Sequence, residues 1–200
     1  MKKLVVALAL LTSFVASAQN NRIVSVDAFD LAYTGGLAFR SSDAKRGSDR
    51  KENTFRFNLN YAQNIEQYIG LMWRAKAYFN RTDIDQDSYD ELTSAFGAAG
   101  GLLYNFNADD IKNSILLGAM IGLERATFEE NGMDDKSAFN WTFEVEAGKR
   151  WDLGRYSVAN ITYAPTVALG YTRYGGDIRK KYYKSETEVK FNFLKFDIIF

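Results

Sequence analysis

The chain has 200 residues, and its 25 Lys and Arg balance 25 Asp and Glu, which gives a formal net charge of zero. This balance provides no basic field for nucleic acid, and a composition that is 46% hydrophobic and 15% aromatic is too apolar for a disordered chain. Because the sequence contains no His and no Cys, it lacks the imidazole and thiol groups on which most hydrolases and metal sites depend. One Pro beside 15 Gly, 12 Tyr and 15 Phe favours strands, so we expect one folded all-β unit.

The N-terminus has the pattern of an export signal. Two lysines follow Met1, residues 4–15 are apolar, and Ala16-Ser17-Ala18 matches a small-residue cleavage site. The apolar stretch is shorter than the roughly 20 residues of a bilayer-spanning helix, which disfavours a retained anchor. The sequence therefore predicts a signal peptide over residues 1–18 and an exported domain over residues 19–200.

The rest of the chain alternates between apolar and polar residues, as strands with two different faces do. In residues 55–61 and 139–147, for example, the odd positions are mostly aromatic or aliphatic, while the even positions are polar. Most such segments exceed the five or six residues of a usual globular strand and fit the roughly 9 to 11 residues of a tilted membrane strand. Eight segments show the pattern: residues 27–39, 54–62, 68–80, 94–106, 114–126, 138–150, 157–172 and 187–200.

The connections between these segments alternate in length. Three are short, namely residues 63–67, 107–113 and 151–156, and four are longer and charged, namely residues 40–53, 81–92, 127–137 and 173–186. Short turns at one end and long loops at the other are typical of an up-and-down barrel with both termini at the short-turn end. The sequence predicts an eight-stranded antiparallel up-and-down barrel.

Alternation alone does not say whether the apolar face meets a core or a lipid. A soluble barrel, such as a secreted lipocalin-like calyx, buries its apolar face, whereas a transmembrane β-barrel turns that face outward. Large aromatic residues cluster near both ends of the apolar faces, as expected for girdles at two membrane interfaces. Charged residues occupy the polar faces in mid-strand, where they can pair across a narrow lumen. We predict that a lumen ion-pair network contains Asp30, Arg56, Arg74, Lys76, Glu124, Glu144, Glu146, Lys195 and Asp197.

The C-terminus is apolar at every second position, at Leu194, Phe196, Ile198 and the final residue Phe200. In this respect the sequence resembles bacterial outer-membrane β-barrel proteins, in particular small eight-stranded barrels of the OmpA transmembrane-domain, OmpX and OmpW kind. The resemblance implies residence in the outer membrane, in contact with its lipid and lipopolysaccharide. It also implies that these four residues are an assembly signal, used by the barrel-assembly machinery after passage through periplasmic chaperones. We expect a monomer.

Two segments depart from simple alternation. Pro165 lies within segment 157–172, where its missing N–H predicts a bulge. In the last segment, Val189 and Phe191 have the opposite parity to Leu194 and Phe196, which predicts a change of phase near residue 193.

The predicted architecture favours a non-enzymatic role. Eight strands give an interior just wide enough for side chains, so a large aqueous pore is disfavoured. We therefore expect a structural or surface-interaction role through four extracellular loops. The alternative is a narrow, porin-like channel for ions or small solutes, gated by a switchable salt bridge. No catalytic residue, cofactor-binding residue or metal ligand is predicted, and no nucleic-acid partner.

The long loops differ in charge. Residues 40–53 and 173–186 are basic, whereas residues 81–92 and 127–137 are acidic. We predict that basic loop residues contact anionic lipid phosphates or an acidic partner, the alternative being a merely solvated rim. These residues are Lys45, Arg46, Arg179, Lys180 and Lys181.

Overall fold

The computed structural model describes residues 22–30, 36–42, 51–66, 68–86, 89–130, 136–176 and 185–200. Within these ranges the strands form one antiparallel sheet, accompanied by a short 3-10 turn at Ile111–Asn113. The strands are β1 (Arg22–Asp30), β2 (Gly36–Ser42), β3 (Lys51–Asn64), β4 (Leu71–Gln86), β5 (Tyr89–Asn105), β6 (Ile115–Glu130), β7 (Lys136–Lys149), β8 (Trp151–Tyr156), β9 (Ala159–Tyr163), β10 (Thr166–Arg173), β11 (Ser185–Asn192) and β12 (Phe196–Ile199). The predicted all-β, antiparallel fold is confirmed. None of the described residues belongs to a helix long and apolar enough to cross a membrane.

Strands β3 to β7, which we call the regular wall, are long and unbroken. They have 14 to 17 residues each, and consecutive strands from β3 to β7 pair with each other. The turn between β3 and β4 needs a glycine. At Gly70 φ is +78°, and a Cβ atom there would lie 2.4 Å from the carbonyl oxygen of Asn105.

The other strands, β1, β2 and β8 to β12, form what we call the interrupted part. β8 follows β7 after Arg150, β10 follows β9 after Ala164 and Pro165, and β12 follows β11 after residues 193–195. Because Pro165 has no N–H for a strand ladder, β9 ends before it. Where a bulge was predicted at Pro165, the structure has a break between β9 and β10.

The break between β11 and β12 changes the phase of the chain. Phe193 and Leu194 are adjacent, yet both are exposed, at 44% and 43%. Inward positions are therefore even-numbered before the break, as at Glu188, and odd-numbered after it, as at Lys195 and Asp197. The predicted change of phase is confirmed.

The first and last described strands are neighbours in the sheet. The strand order is β2-β11-β10-β7-β6-β5-β4-β3-β1-β12-β9-β8. β1 pairs with β3 on one side and with β12 on the other, while β2 pairs with β11. The two ends of the described chain thus run side by side.

The described ranges contain twelve strands where eight segments were predicted. Breaks divide two predicted segments, 157–172 and 187–200, into two strands each, and the predicted segment 27–39 overlaps both β1 and β2. Residues 151–156 were predicted to be a turn, and this is wrong, because they form β8 and pair with β9. Polar residues and a glycine hide the alternation there, although the hydrogen-bond ladder continues.

The predicted long connection at residues 81–92 is also mostly strand. β4 continues to Gln86 and β5 starts at Tyr89, with their ladder extending to this end. The sequence gives little sign of this extension, because polar residues replace the apolar ones on which the alternation depends.

The two faces of the sheet are chemically opposite. Phe96 and Phe139 lie on the outer face with 65% and 68% of their surface exposed, whereas Arg74 and Glu146 are buried on the inner face. A protein surrounded by water buries its aromatic residues and exposes its charges. The alternative of a calyx with an apolar interior is therefore wrong, and the outer face has the character of a lipid-facing surface.

Candidate functional site: the polar interior

Two strands that are not neighbours meet across the interior. β4 and β7 are separated in the sheet by β5 and β6, so contacts between their inward side chains cross the enclosed space. Three successive inward residues of β4 contact three of β7 in antiparallel order, and we call these contacts the central rungs: Arg74 with Glu146, Lys76 with Glu144, and Tyr78 with Thr142. The rungs connect opposite sides of the regular wall.

Each carboxylate of the central rungs lies between two cations. Glu146 accepts a hydrogen bond from Arg74 and lies 3.4 Å from the Lys195 Nζ atom. The two Glu144 oxygens accept hydrogen bonds of 2.8 Å, one from Lys76 and one from Lys190. A buried carboxylate is costly unless it is paired, so the flanking cations are what permit these residues inside the fold.

Glycines of the intervening strands make room for the rungs. A Cβ atom at Gly118 would lie 3.0 Å from Cγ of Glu146 and 3.4 Å from Nη1 of Arg74. A Cβ atom at Gly97 would lie 2.3 Å from the Tyr78 ring. The small residues of β5 and β6 are therefore part of the site, because larger side chains would occupy the space that the rungs cross.

Towards the loop end, the buried carboxylate of Glu124 has neutral partners. Asn140 donates to its Oε1 atom at 2.9 Å, and Tyr78 donates to its Oε2 atom at 3.2 Å. Tyr174 donates to Glu186 at 2.5 Å in the same region.

Towards the turn end, the buried guanidinium of Arg150 anchors a second cluster. Its Nε atom donates to Oδ2 of Asp197 at 2.5 Å, and its Nη1 atom donates to the side chain of Asn105. Ser25 donates to the other Asp197 oxygen at 2.6 Å. This cluster connects β1, β5 and β12 around the break that follows β7.

Apolar side chains close both ends of the polar interior. One buried cluster is at the turn end, with Ile23, Ala62, Met72, Leu103, Ile111, Leu116 and Ile199. The other is at the loop end, with Ala95, Ala126, Phe128, Ala138 and Tyr174. The charged middle thus lies between two buried apolar clusters.

Eight of the nine residues predicted for the lumen take part in contacts in the interior, and five of them, Arg74, Lys76, Glu144, Glu146 and Lys195, contact one another. Asp30 is the exception, since β1 ends there opposite Phe55 and its side chain lies outside the described set. Arg56 contacts Glu188, and the other predicted residues take part in the contacts above. With the residues that the prediction missed, the side chains that the structure describes place six cations and six carboxylates in the interior: Arg56, Arg74, Lys76, Arg150, Lys190 and Lys195, with Glu124, Glu144, Glu146, Glu186, Glu188 and Asp197.

The missed residues had a signal in the sequence. Arg150 has the same even parity as Glu144 and Glu146 on the preceding strand, and Glu188 and Lys190 share one parity before the phase change. Applying the alternation through the breaks would have placed these three inside, while Glu186, the fourth missed residue, lies at the end of the predicted connection 173–186. In the described ranges, no three Asp or Glu residues are arranged to hold a metal ion.

Other predicted site residues are less informative. The basic loop residues Lys45, Arg46, Arg179, Lys180 and Lys181 lie outside the described residues. The four residues of the predicted assembly signal are described. Leu194 and Phe196 are exposed on the outer face, and Ile198 and Phe200 are half-buried.

Aromatic residues form a belt at each end of the outer face. At the turn end, ring centroids are 5.1 Å apart for Tyr61 and Trp73, and 5.7 Å apart for Trp151 and Tyr163. At the loop end, Phe55 and Phe79 are 6.5 Å apart on neighbouring strands, in line with exposed residues such as Phe96, Phe139 and Trp141. Two such belts are typical of the two interfaces of a membrane.

Known proteins share this architecture. A family model described as outer membrane protein beta-barrel domain matches residues 6–196. The fold is similar to that of Neisserial surface protein A, with a TM-score of 0.54 and 18% identity over 90% of this chain and 97% of that one. It is also similar to that of Ail from Yersinia pestis, with a TM-score of 0.52 and 11% identity over 91% of this chain and 99% of that one. A structure of Ail in complex with the heparin analogue sucrose octasulfate gives the same TM-score of 0.52 and 11% identity, over 90% and 99% of the two chains. No curated protein matches the sequence significantly.

Proposed function

We propose that this chain, which belongs to the outer membrane protein beta-barrel domain family and resides in the bacterial outer membrane, is a closed, non-enzymatic, monomeric barrel with a structural or surface-interaction role. Four loops at one end would face the cell exterior and the short turns the periplasm. The barrel wall would hold the loops in place, and the interior would be closed to solutes.

The pairing of the strands supports a barrel of eight strands, in which some of the twelve described strands are parts of one longer strand. We count β1 with β2, β7 with β8, β9 with β10, and β11 with β12 as four single strands of the barrel. The registers favour this count, since β7 pairs with β10 while β8 pairs with β9. Because β12 pairs with β1 and β11 pairs with β2, the last barrel strand would pair with the first and close the barrel.

The observation that carries the proposal is the filled interior. The central rungs cross it, and an apolar cluster lies at each end. A conducting pore needs a continuous wetted path, which these side chains obstruct. The buried ion pairs would therefore connect opposite sides of the barrel rather than move charge.

Conductance measurements test this proposal. The purified chain is inserted into planar lipid bilayers, with a general porin as the positive control for insertion and recording. We expect no discrete conductance steps from this chain. Reproducible steps that scale with salt concentration would contradict a closed interior.

Those steps would favour the second candidate, a narrow channel for ions or small solutes. The observation behind this candidate is the chain of contacts from Lys76 through Glu144 to Lys190 and on to Glu188, which could exchange partners. A gate of this kind predicts that Glu144→Gln changes the conductance, whereas Glu129→Gln, at an exposed position near the loops, leaves it unchanged.

We further propose that the chain is exported through a signal peptide over residues 1–18 and assembled through its C-terminal residues. N-terminal sequencing of the mature protein should start at Gln19. Removal of Phe200 should reduce the amount of folded protein in the outer membrane through poorer recognition by the barrel-assembly machinery. Refolding of the same variant in detergent should remain efficient, which separates an assembly defect from a folding defect.

The basic loop residues Lys45, Arg46, Arg179, Lys180 and Lys181 are proposed to contact anionic groups, such as lipopolysaccharide phosphates or an acidic partner. Ail, which has a similar fold, has been solved with a sulfated heparin analogue, an example of a polyanion bound by such a barrel. Charge reversal of the five residues should weaken retention of anionic ligands, and unchanged retention would reject the idea. Because the chain has no native cysteine, Ser48→Cys and Gly132→Cys variants should be labelled selectively in intact cells if the loops are external.

A further inference from the structure

Two arginines lie on the outer, lipid-facing side of the sheet near the loop end. Arg125 of β6 continues the outward row of Ile121 and Leu123, and Arg173 of β10 continues that of Leu169 and Tyr171. Both side chains are exposed, and neither has an ion-pair partner among the described residues. The arginines and lysines named in the interior are all paired with carboxylates, so these two guanidiniums differ from the interior cations.

The two arginines flank an aromatic strip on β7. The register places Arg125 opposite Phe139 and Arg173 opposite Trp141. Phe139 and Trp141 are two residues apart and point to the same face. Since neighbouring strands are about 4.8 Å apart, β6 and β10 are separated by about 10 Å, with the aromatic strip between them.

A groove of about 510 Å³ lies on this surface. Its lining includes Ile121, Phe139, Trp141, Phe143, Tyr171 and Arg173. Apart from Arg173, these side chains offer an apolar surface suited to a hydrocarbon chain. The groove therefore combines an apolar bed with a cation at its loop end.

The position of the groove indicates the depth of the guanidiniums. Trp and Tyr concentrate at the level of lipid headgroups, and Trp141 and Tyr171 are next to Arg173. An arginine is costly at the bilayer centre and nearly free of cost at the interface. There, an unpaired guanidinium favours a phosphate oxygen, which it can bind through two parallel hydrogen bonds.

We propose that Arg125, Arg173 and the aromatic groove between them form a binding site for a phosphorylated anionic lipid of the outer leaflet. An acyl chain lies along Trp141 and Phe143, and the headgroup phosphate lies between the guanidiniums. The site is on the barrel wall and does not involve the loop residues considered above. The inference rests on the proposed orientation of the barrel, with its outer face in lipid.

Native Trp141 provides the readout. Trp73→Phe and Trp151→Phe leave Trp141 as the single tryptophan, since the chain has three. This protein is reconstituted in phosphatidylcholine vesicles that contain a small fraction of either brominated phosphatidic acid or brominated phosphatidylcholine. Bromine quenches indole fluorescence at short range, so the ratio of the two quenching efficiencies measures selection of the anionic phosphate lipid at the groove.

We expect stronger quenching by brominated phosphatidic acid than by brominated phosphatidylcholine. The preference should fall about fivefold for each guanidinium removed, in Arg125→Gln and Arg173→Gln, and largely return in the double Lys variant. Arg81→Gln is the matched control, because Arg81 is an exposed arginine opposite Phe55, away from the groove. It should leave the preference at Trp141 unchanged.

The outcomes separate this inference from the proposed orientation. Equal quenching by the two lipids in the native background, or a preference that survives the double Gln variant, would overturn the lipid site while leaving the orientation intact. If neither brominated lipid quenches Trp141, the outer face does not meet lipid and both proposals fall. A gel-mobility shift on heating checks that each variant is folded.

Discussion

In the regular wall and in the interrupted part of the sheet alike, side chains alternate between the interior and the outer face. The alternation is uniform in the wall and changes phase in the interrupted part. In β3 to β7, a single parity faces the interior along the described part of each strand, with charged residues inward on β4 and β7 and mostly small or apolar residues inward on β5 and β6. In the interrupted part, the parity changes at a break, so that Glu188 and Lys195 both face the interior although their numbers differ in parity. The comparison shows that the surroundings of the barrel determine which residues face inward. Where the sequence changes phase, the strand is interrupted.

The two regions also depend on each other. Glu146 belongs to the regular wall, yet it is held both by Arg74 of the wall and by Lys195 from the break before β12. Arg150 leaves the end of β7 to pair with Asp197 of β12. The residues at the breaks are thus placed where they can form ion pairs, Lys195 with Glu146 of the wall and Arg150 with Asp197.

The largest effect should come from a one-residue deletion inside the regular wall. Deletion of Ala119 in β6 reverses the faces of the residues that follow it and turns Glu124 towards lipid. We expect this variant not to reach the folded, heat-modifiable form in detergent. Deletion of Leu194 should be tolerated, because it removes the phase change between β11 and β12 while Lys195 and Asp197 stay on the inner face. Equal folding of the two deletion variants would contradict the account of the break.

The next largest effect should come from the carboxylate that links the two regions. Glu146→Gln leaves Arg74 and Lys195 buried without their shared anion, which should lower the free energy of unfolding by about 3–5 kcal/mol. Urea titration in lipid vesicles measures this value. Glu129→Gln, at an exposed position of β6, should change it by less than about 0.5 kcal/mol. Equal effects of the two substitutions would show that the rung makes no special contribution.

A charge on the outer face of the regular wall should be somewhat less costly. Ile121 is 59% exposed, so Ile121→Arg would be tolerated in a protein surrounded by water. On a lipid-facing strand, the substitution should lower the free energy of unfolding by about 2–4 kcal/mol. The same urea titration applies, with Ile121→Val as the control for lost packing, and near-native stability of the Arg variant would argue against lipid contact at this position.

The smallest effect should come from Pro165. Because it lies between β9 and β10 and no strand hydrogen bond requires its nitrogen, Pro165→Ala should change stability by about 1 kcal/mol or less. Ala119→Pro, in the middle of β6, should be far more damaging, since it removes a ladder hydrogen bond inside the regular wall. If the two substitutions were equally damaging, the break at Pro165 would not differ from the wall.

The regular wall was the part that the sequence predicted best. There, residues 55–61 and 139–147 alternate without error, so the strands, their faces and residues such as Arg74 and Glu146 follow from parity alone. In the last predicted segment the inward parity changes at residues 193–195. Lys190 has the even parity that faces inward before this break, and it was missed because the prediction took only the odd-numbered charges Lys195 and Asp197.

Contacts across the interior depend on register, which a single sequence does not reveal. Nothing in the pattern indicates that Arg74 faces Glu146 rather than Glu144, or that Gly118 leaves the space for this contact. The strand ends were mispredicted for a related reason, because hydrogen bonds between main chains continue through polar residues whose side chains carry no periodic signal.

The central claim is that the apolar side of the sheet meets lipid while the polar side is enclosed. Because the native chain has no cysteine, single nitroxide labels can be attached along β6 at residues 116, 117, 119, 120, 121 and 123 in a reconstituted bilayer. Their collision rate with oxygen, which concentrates in hydrocarbon, reports the surroundings of each position. The account predicts high rates at the odd positions and low rates at 116 and 120. High rates at 116 and 120 with low rates at the odd positions would contradict it.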